Sequence, residues 1–122
     1  MKIFDANVIL RYVLNDNPEM ALIADTLLKS EAILVPTEVL AEVVYVLSGV
    51  YAIPRNRISE VLRSFLTEVH TTEPAVILAG LQTFSTTSLD FVDCLLHAYQ
   101  TVSGFEVITF DKKLNALLRA RD

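Results

Sequence analysis

Short apolar runs alternating with helix-period stretches place the tightest limit on what this chain can fold into. Ile3-Phe4, Ala32-Ile33-Leu34-Val35 and Glu106–Thr109, with Val107 and Ile108 at its centre, each read as a short buried strand. Between them the apolar residues recur at helical spacing. Ala6–Leu14 is one such stretch, and Glu19–Lys29 is a second, with Met20, Ile23, Ala24, Leu27 and Leu28 on one face. A third helix, capped by Thr37, runs to about Gly49. Pro54–Glu68 turns Ile58, Val61, Leu62, Phe65 and Leu66 inward. Val69–Thr71 reads as a further short strand, and Pro74–Phe84, Leu89–Val102 (ended by Gly104) and Lys112–Arg119 as the remaining helices. Strand–helix alternation from end to end predicts an α/β fold: a short parallel sheet with helices on both faces, in one domain spanning residues 1–122.

Four acids stand where folding alone gives them little reason to be. Asp5 ends the first strand, and open α/β sheets place ligands at the carboxyl ends of their strands. Asp111 mirrors it after Val107-Ile108-Thr109-Phe110. For each of these taken singly, capping of the following helix is an adequate explanation. Glu42 lies in the second turn of a helix that is apolar nearly all round, where an unpaired carboxylate is costly. Glu38, next to the expected cap, gains from the helix dipole instead.

The late helix repeats the theme. Asp90, Asp93, His97 and Gln100 fall on one narrow stripe. Thr87 and Asp90 fit a capping box, which leaves Asp93 without a structural task. His97 stands four residues on, where it can bond Asp93, approach a ligand, or simply be a satisfied, half-buried side chain.

Brought together, such carboxylates would repel by about 4 kcal/mol per pair at 4 Å and an effective dielectric near 20. Protonation or a divalent cation must relieve that. Oxygen ligands without a Cys/His cluster select Mg²⁺ or Mn²⁺ over zinc, ions that suit phosphodiester hydrolysis. No Gly-rich phosphate loop, Ser/His/Asp order or CxxC pair competes with this reading. A net charge of −5 argues against a simple DNA-binding module, though less against a nuclease whose site acids supply that charge. Apolar residues make up 52% of the chain, which disfavours disorder and favours self-association. The single Cys94 excludes an intramolecular disulfide and suits a reducing cytoplasm. Asp5, Asn7 and Arg11 interrupt any signal-like apolar start, and no run is long enough to span a bilayer.

Asp5-Ala6-Asn7, Leu40-Ala41-Glu42-Val43, Asp90-Phe91-Val92-Asp93 and Thr109-Phe110-Asp111, in this order and spacing, resemble the PIN-domain nucleases over essentially the whole chain. The size, and a tail ending soon after Asp111, resemble most the VapC toxins of type II toxin–antitoxin systems. That resemblance implies a PIN-like (Rossmann-like) three-layer fold and a metal-dependent endoribonuclease holding Mg²⁺ or Mn²⁺ on Asp5, Glu42, Asp93 and Asp111. Asn7 and Thr109 would support the site, and transfer or ribosomal RNA are common targets of such toxins. It also implies a homodimer and a small antitoxin that inserts beside the site. Ala6, where many members carry Thr or Ser, and Cys94, where Ala is common, depart from the pattern without removing a ligand. Arg11, Lys112 and Lys113 are the cations nearest the expected strand ends and the candidates for RNA phosphate contacts. Three alternatives stand beside this reading: a solitary PIN nuclease, a catalytically silent PIN binding module, and a receiver-like phosphoacceptor domain.

Overall fold

The computed structural model describes residues 1–120; the last two residues of the expected domain lie outside that range. Strand β1 (Lys2–Ile3) pairs in parallel with β2 (Ile33–Leu34), with Lys2 opposite Ile33 and Ile3 opposite Leu34. A single parallel bridge from Leu34 to His70 extends the sheet on the far side of β2, where residues 69–71 were expected to form a strand. Among the described residues seven helices accompany these strands: α1 (Ala6–Leu14), α2 (Pro18–Ser30), α3 (Thr37–Gly49), α4 (Arg55–Phe65), α5 (Pro74–Thr86), α6 (Phe91–Ser103) and α7 (Lys112–Arg119). A 3₁₀ turn at Leu66–Glu68 replaces the expected last turn of α4. The architecture is therefore mostly helical, with a short parallel sheet.

The expected strand at Glu106–Thr109 does not form. Among the described residues the sheet contains only β1 and β2, and residues 104–111 run without regular pairing. Phe105, Ile108 and Phe110 are exposed, Phe110 at 99%. The segment is held instead by side chains. Gln100 accepts from the Val107 N–H at 3.4 Å and donates to the Leu118 carbonyl at 3.0 Å, and Asn115 donates to the Thr109 carbonyl at 2.8 Å. These bonds tie it to α6 and α7, and β1 keeps an open edge.

The core forms where the apolar faces of α1, α3, α4, α5 and α6 meet around β2. Ile9, Leu40, Val43, Leu47, Ile58, Leu62, Ile77 and Leu81 are almost wholly buried there. Helices α5 and α6 approach closely at Gly80: a Cβ there would stand 2.9 Å from a Leu95 methyl, so hydrogen is what this crossing accommodates. Helix α3 is not buried all round, as its composition had suggested. Its Glu38, Glu42, Tyr45 and Gly49 lie on an exposed stripe, so Glu42 is not the buried carboxylate expected.

Candidate active site

Asp5 and Asp111 perform the same local task. Each is the N-cap of its helix: Asp5 Oδ1 accepts from the Val8 N–H at 3.0 Å, and Asp111 Oδ1 accepts from the Leu114 N–H at 2.8 Å. Capping uses one carboxylate oxygen in each case, and both residues are exposed. Thr109 Oγ1 accepts from the Asp111 N–H at 3.1 Å, fixing the turn into α7.

Asp90 and Asp93 exchange the places the sequence suggested. Helix α6 starts at Phe91, so Asp90 is its N-cap residue, yet its side chain makes no capping bond. Thr87 Oγ1 accepts from the Leu89 N–H and donates to the Thr83 carbonyl, so the expected capping box is absent. Asp93 lies in the first turn, where the helix dipole favours a carboxylate. It is nevertheless half-buried, and burial, then Asp111, then Asp90 push its pKa above the ordinary aspartate range.

What positions α6 is Arg55, which the sequence reading passed over. Its Nη1 donates to the carbonyls of Phe84, Thr87 and Leu89 at 3.3, 3.1 and 2.7 Å, and Nη2 donates to Ser88 at 3.3 Å. The guanidinium also lies 4.1 Å from the centroid of the Phe84 ring. One planar cation thus gathers the carbonyls between α5 and α6 and sets where Asp90 and Asp93 emerge.

Beside Asp93 opens a cavity of about 500 Å³, walled by Ala41, Val44, Tyr45, Ser48 and Gly49 of α3 and by Asp90–Asp93, with Arg55 and Phe84 also lining it. A larger cavity of about 670 Å³, between α1, α2 and α4, contains none of the candidate acids. A perturbed carboxyl makes the smaller cavity the better site candidate.

The remaining residues fall into two groups. Asn7, Lys112 and Lys113 are exposed, and among the described residues the two lysines make no ion pair. Arg11 is committed elsewhere: it bonds Asp16 at 2.6 Å and the Tyr51 hydroxyl at 3.1 Å, which leaves it a poor phosphate ligand. His97 is half-buried and makes no side-chain hydrogen bond to Asp93 among the described residues.

A family model described as PIN domain matches residues 2–119. The chain belongs to the PIN domain family. PIN domains are generally nucleases, and a nuclease-type activity follows for this one. No curated protein and no solved structure gives a significant match.

PIN domains typically use divalent metals, and the chemistry of the acids here suits them. Asp93 and Asp111 offer hard oxygen donors, and among the described residues neither is in an ion pair. Burial is the larger cause of the raised Asp93 pKa, and a cation would offset both it and the repulsion from Asp111 and Asp90. The gathering is partial, however. Among the described residues no three His, Cys, Asp or Glu side chains stand close enough to hold an ion together. The unpaired 104–111 segment goes with this: Asp5 follows a paired strand, whereas Asp111 follows none among the described residues. Asp93 and Asp111 interact, whereas Asp5 and Glu42 do not join them in a group of three.

Proposed function

We propose that this PIN domain is a Mg²⁺- or Mn²⁺-dependent endoribonuclease, and that it acts as the toxin of a type II toxin–antitoxin pair. The observation that carries the nuclease reading is the half-buried Asp93, repelled by Asp111 and Asp90 and with no cation paired to it among the described residues. Asp93 and Asp111 would hold the ion; Asp5 and Glu42, which do not join them in a group of three among the described residues, are the further ligands that the family resemblance implies. When bound, such an ion activates water and stabilises charge on the phosphoryl group. The chain's own residues do the rest. Thr109 fixes the backbone at Asp111, Arg55 fixes the turn that presents Asp93, Asn7 is the other supporting polar residue of the site, and Lys112 and Lys113 meet RNA phosphates.

The toxin reading rests on the resemblance of the whole motif order to VapC toxins, and the three-layer arrangement of that family belongs to it. It brings a small antitoxin that presents Arg or Lys to the carboxylates, and a homodimer. For that homodimer the candidate contacts are Val50–Leu66 and the helix that starts at Pro74, where Val50, Tyr51 and Leu78 are exposed. A lone cysteine, buried and free, suits the cytoplasm. Among the described residues no helix is long and apolar enough to cross a membrane.

Cleavage of structured and single-stranded RNA, with Mg²⁺, Mn²⁺ or EDTA, tests the proposal. The wild type should cut with metal, and Asp93→Asn should not. Equal cutting by both would sink it. One observation favours a second reading, a silent PIN module that binds without cutting: among the described residues no three acids gather. RNA binding with no cleavage in either metal selects that reading. Co-expression from the native locus separates toxin from solitary nuclease, since only the toxin brings down a small partner protein.

A further inference from the structure

The cavity beside Asp93 has features that holding an ion does not use. Its floor is apolar, from Val44, Phe84 and Phe91, and its size lies within the range of sites that hold small planar ligands. Tyr45 stands on its wall with 77% of its surface exposed, a large aromatic face that the fold leaves uncovered. It shares the exposed stripe of α3 with Glu42, one turn earlier. Asp90, an exposed residue that also lines the cavity, makes no side-chain hydrogen bond among the described residues, so its carboxylate is free to accept from a ligand there. At Gly49 an added Cβ meets nothing within 4 Å, and Ala41 and Ser48 keep the α3 wall low. Arg55 keeps its positive charge, but its Nη donors are engaged by the four carbonyls.

We propose that this cavity receives one unstacked nucleobase of single-stranded RNA, stacked on Tyr45, with its exocyclic amino group donating to Asp90. The proposal rests on the ribonuclease reading and names what that site recognises. An aromatic face binds any base by stacking, so Tyr45 supplies affinity with little sequence preference. Asp90 supplies the preference, since a carboxylate accepts from the N4 amino group of cytosine and repels the O4 carbonyl of uracil. Asp93 lines the same cavity, so a base seated there holds its own phosphodiester next to the acids.

The test is binding of 5′-labelled hexacytidylate and hexauridylate to the whole protein by fluorescence anisotropy, with Ca²⁺ in place of Mg²⁺. Cleavage kinetics in Mg²⁺ run alongside. Tyr45→Ala should weaken binding of both oligonucleotides about tenfold or more, and Tyr45→Phe should restore it, because stacking needs the ring and not the hydroxyl. Gly49→Leu should fill the cavity and weaken both. Wild type should prefer hexacytidylate, and Asp90→Asn should narrow that gap, since an amide both donates and accepts. In cleavage, Tyr45→Ala should raise KM more than it lowers kcat. Tyr45 is exposed and the Gly49 Cβ position is open, so unchanged melting curves will show that the variants fold.

Wild-type affinity in Tyr45→Ala and Gly49→Leu overturns the base pocket, and leaves the nuclease standing if Asp93→Asn still abolishes cutting. Conversion of a dimer to a monomer by Tyr45→Ala, at unchanged RNA affinity, overturns it too, by giving this face to a second copy of the chain. A wild type that neither binds nor cuts RNA removes the nuclease reading, and the pocket with it.

Discussion

The two ends of the chain carry the same phrase, an apolar run, an aspartate and a helix, and only one of them builds a strand. At the N-terminus Ile3-Phe4-Asp5 leads into α1. Lys2 and Phe4 donate to the carbonyls of Ala32 and Leu34 at 3.0 and 3.4 Å, and Phe4 is 3% exposed. At the other end Ile108-Thr109-Phe110-Asp111 leads into α7 with no strand partner, and its apolar side chains face solvent. Both aspartates cap their helices through Oδ1. Capping is a contract between residues three apart and holds wherever the local sequence allows it. Strand formation needs a distant partner, and of these two ends β2 supplies one to the first only.

The widest gap between the two ends should appear in stability. Phe4→Ala should cost about 3–5 kcal/mol, the usual loss for a buried aromatic, and Phe110→Ala no more than about 0.5 kcal/mol. Denaturant melts of the two variants measure this. A large loss from Phe110→Ala would mean that residues 105–110 are packed after all.

Activity should bring the two ends back together. Asp5→Asn and Asp111→Asn keep a capping oxygen but lose the charge. Each should lower metal-dependent cleavage on the order of 100-fold or more, as loss of one charge-stabilising group typically does. If only one variant loses activity, the two ends do not serve one site.

Alanine at these positions removes the cap itself. Asp5→Ala and Asp111→Ala should each cost about 0.5–2 kcal/mol. The loss at Asp5 should appear in the global melt. At Asp111 it should appear chiefly as faster amide exchange in α7, whose one buried side chain is Leu114.

The smallest effect concerns the acid that caps nothing. The folded pKa of Asp93 is raised above the ordinary value of 3.8 by burial, Asp111 and Asp90. Its contribution to stability is therefore fully present below the unfolded pKa and is lost as pH rises through the folded one. In EDTA, Asp93→Asn should be more stable than wild type at pH 7, by less than about 1 kcal/mol given solvent screening. The advantage should shrink toward nothing as pH falls below 3.8. A gain that persisted in acid would assign it to packing and not to charge.

Legibility in the sequence followed the same divide between local and distant. Helices α1 and α7 lie where the apolar period and their capping aspartates put them, and α2, α3 and α5 differ from expectation by a few terminal residues at most. The start of α6 was misplaced by two residues, because Thr87 looked like a cap and instead bonds back to Thr83. That shift reversed the structural roles assigned to Asp90 and Asp93. The unpaired 106–109 segment was out of reach: its residues are good strand formers, and nothing local reveals that no partner adjoins it. Glu42 was misjudged because composition says how apolar α3 is, not which face the core leaves bare. Tyr45 and Arg55 escaped notice for a related reason. One is an ordinary helix aromatic and the other an ordinary charge until the fold places each beside Asp93.

Arg55 also bears on how this sequence can drift. Its grip is on carbonyl oxygens of Phe84, Thr87, Ser88 and Leu89, and every amino acid carries one. Mutations that rewrite the exposed side chain of Ser88 are therefore invisible to the clamp, and descendants are free to accumulate them there. Position 55 has no such freedom, because a lysine offers a point charge where a planar fork spans several acceptors. A lineage that keeps its acids but exchanges this arginine would hold the right ligands on a turn that no longer aims them. To anyone reading its gene for aspartates and glutamates alone, it would still pass for an intact enzyme.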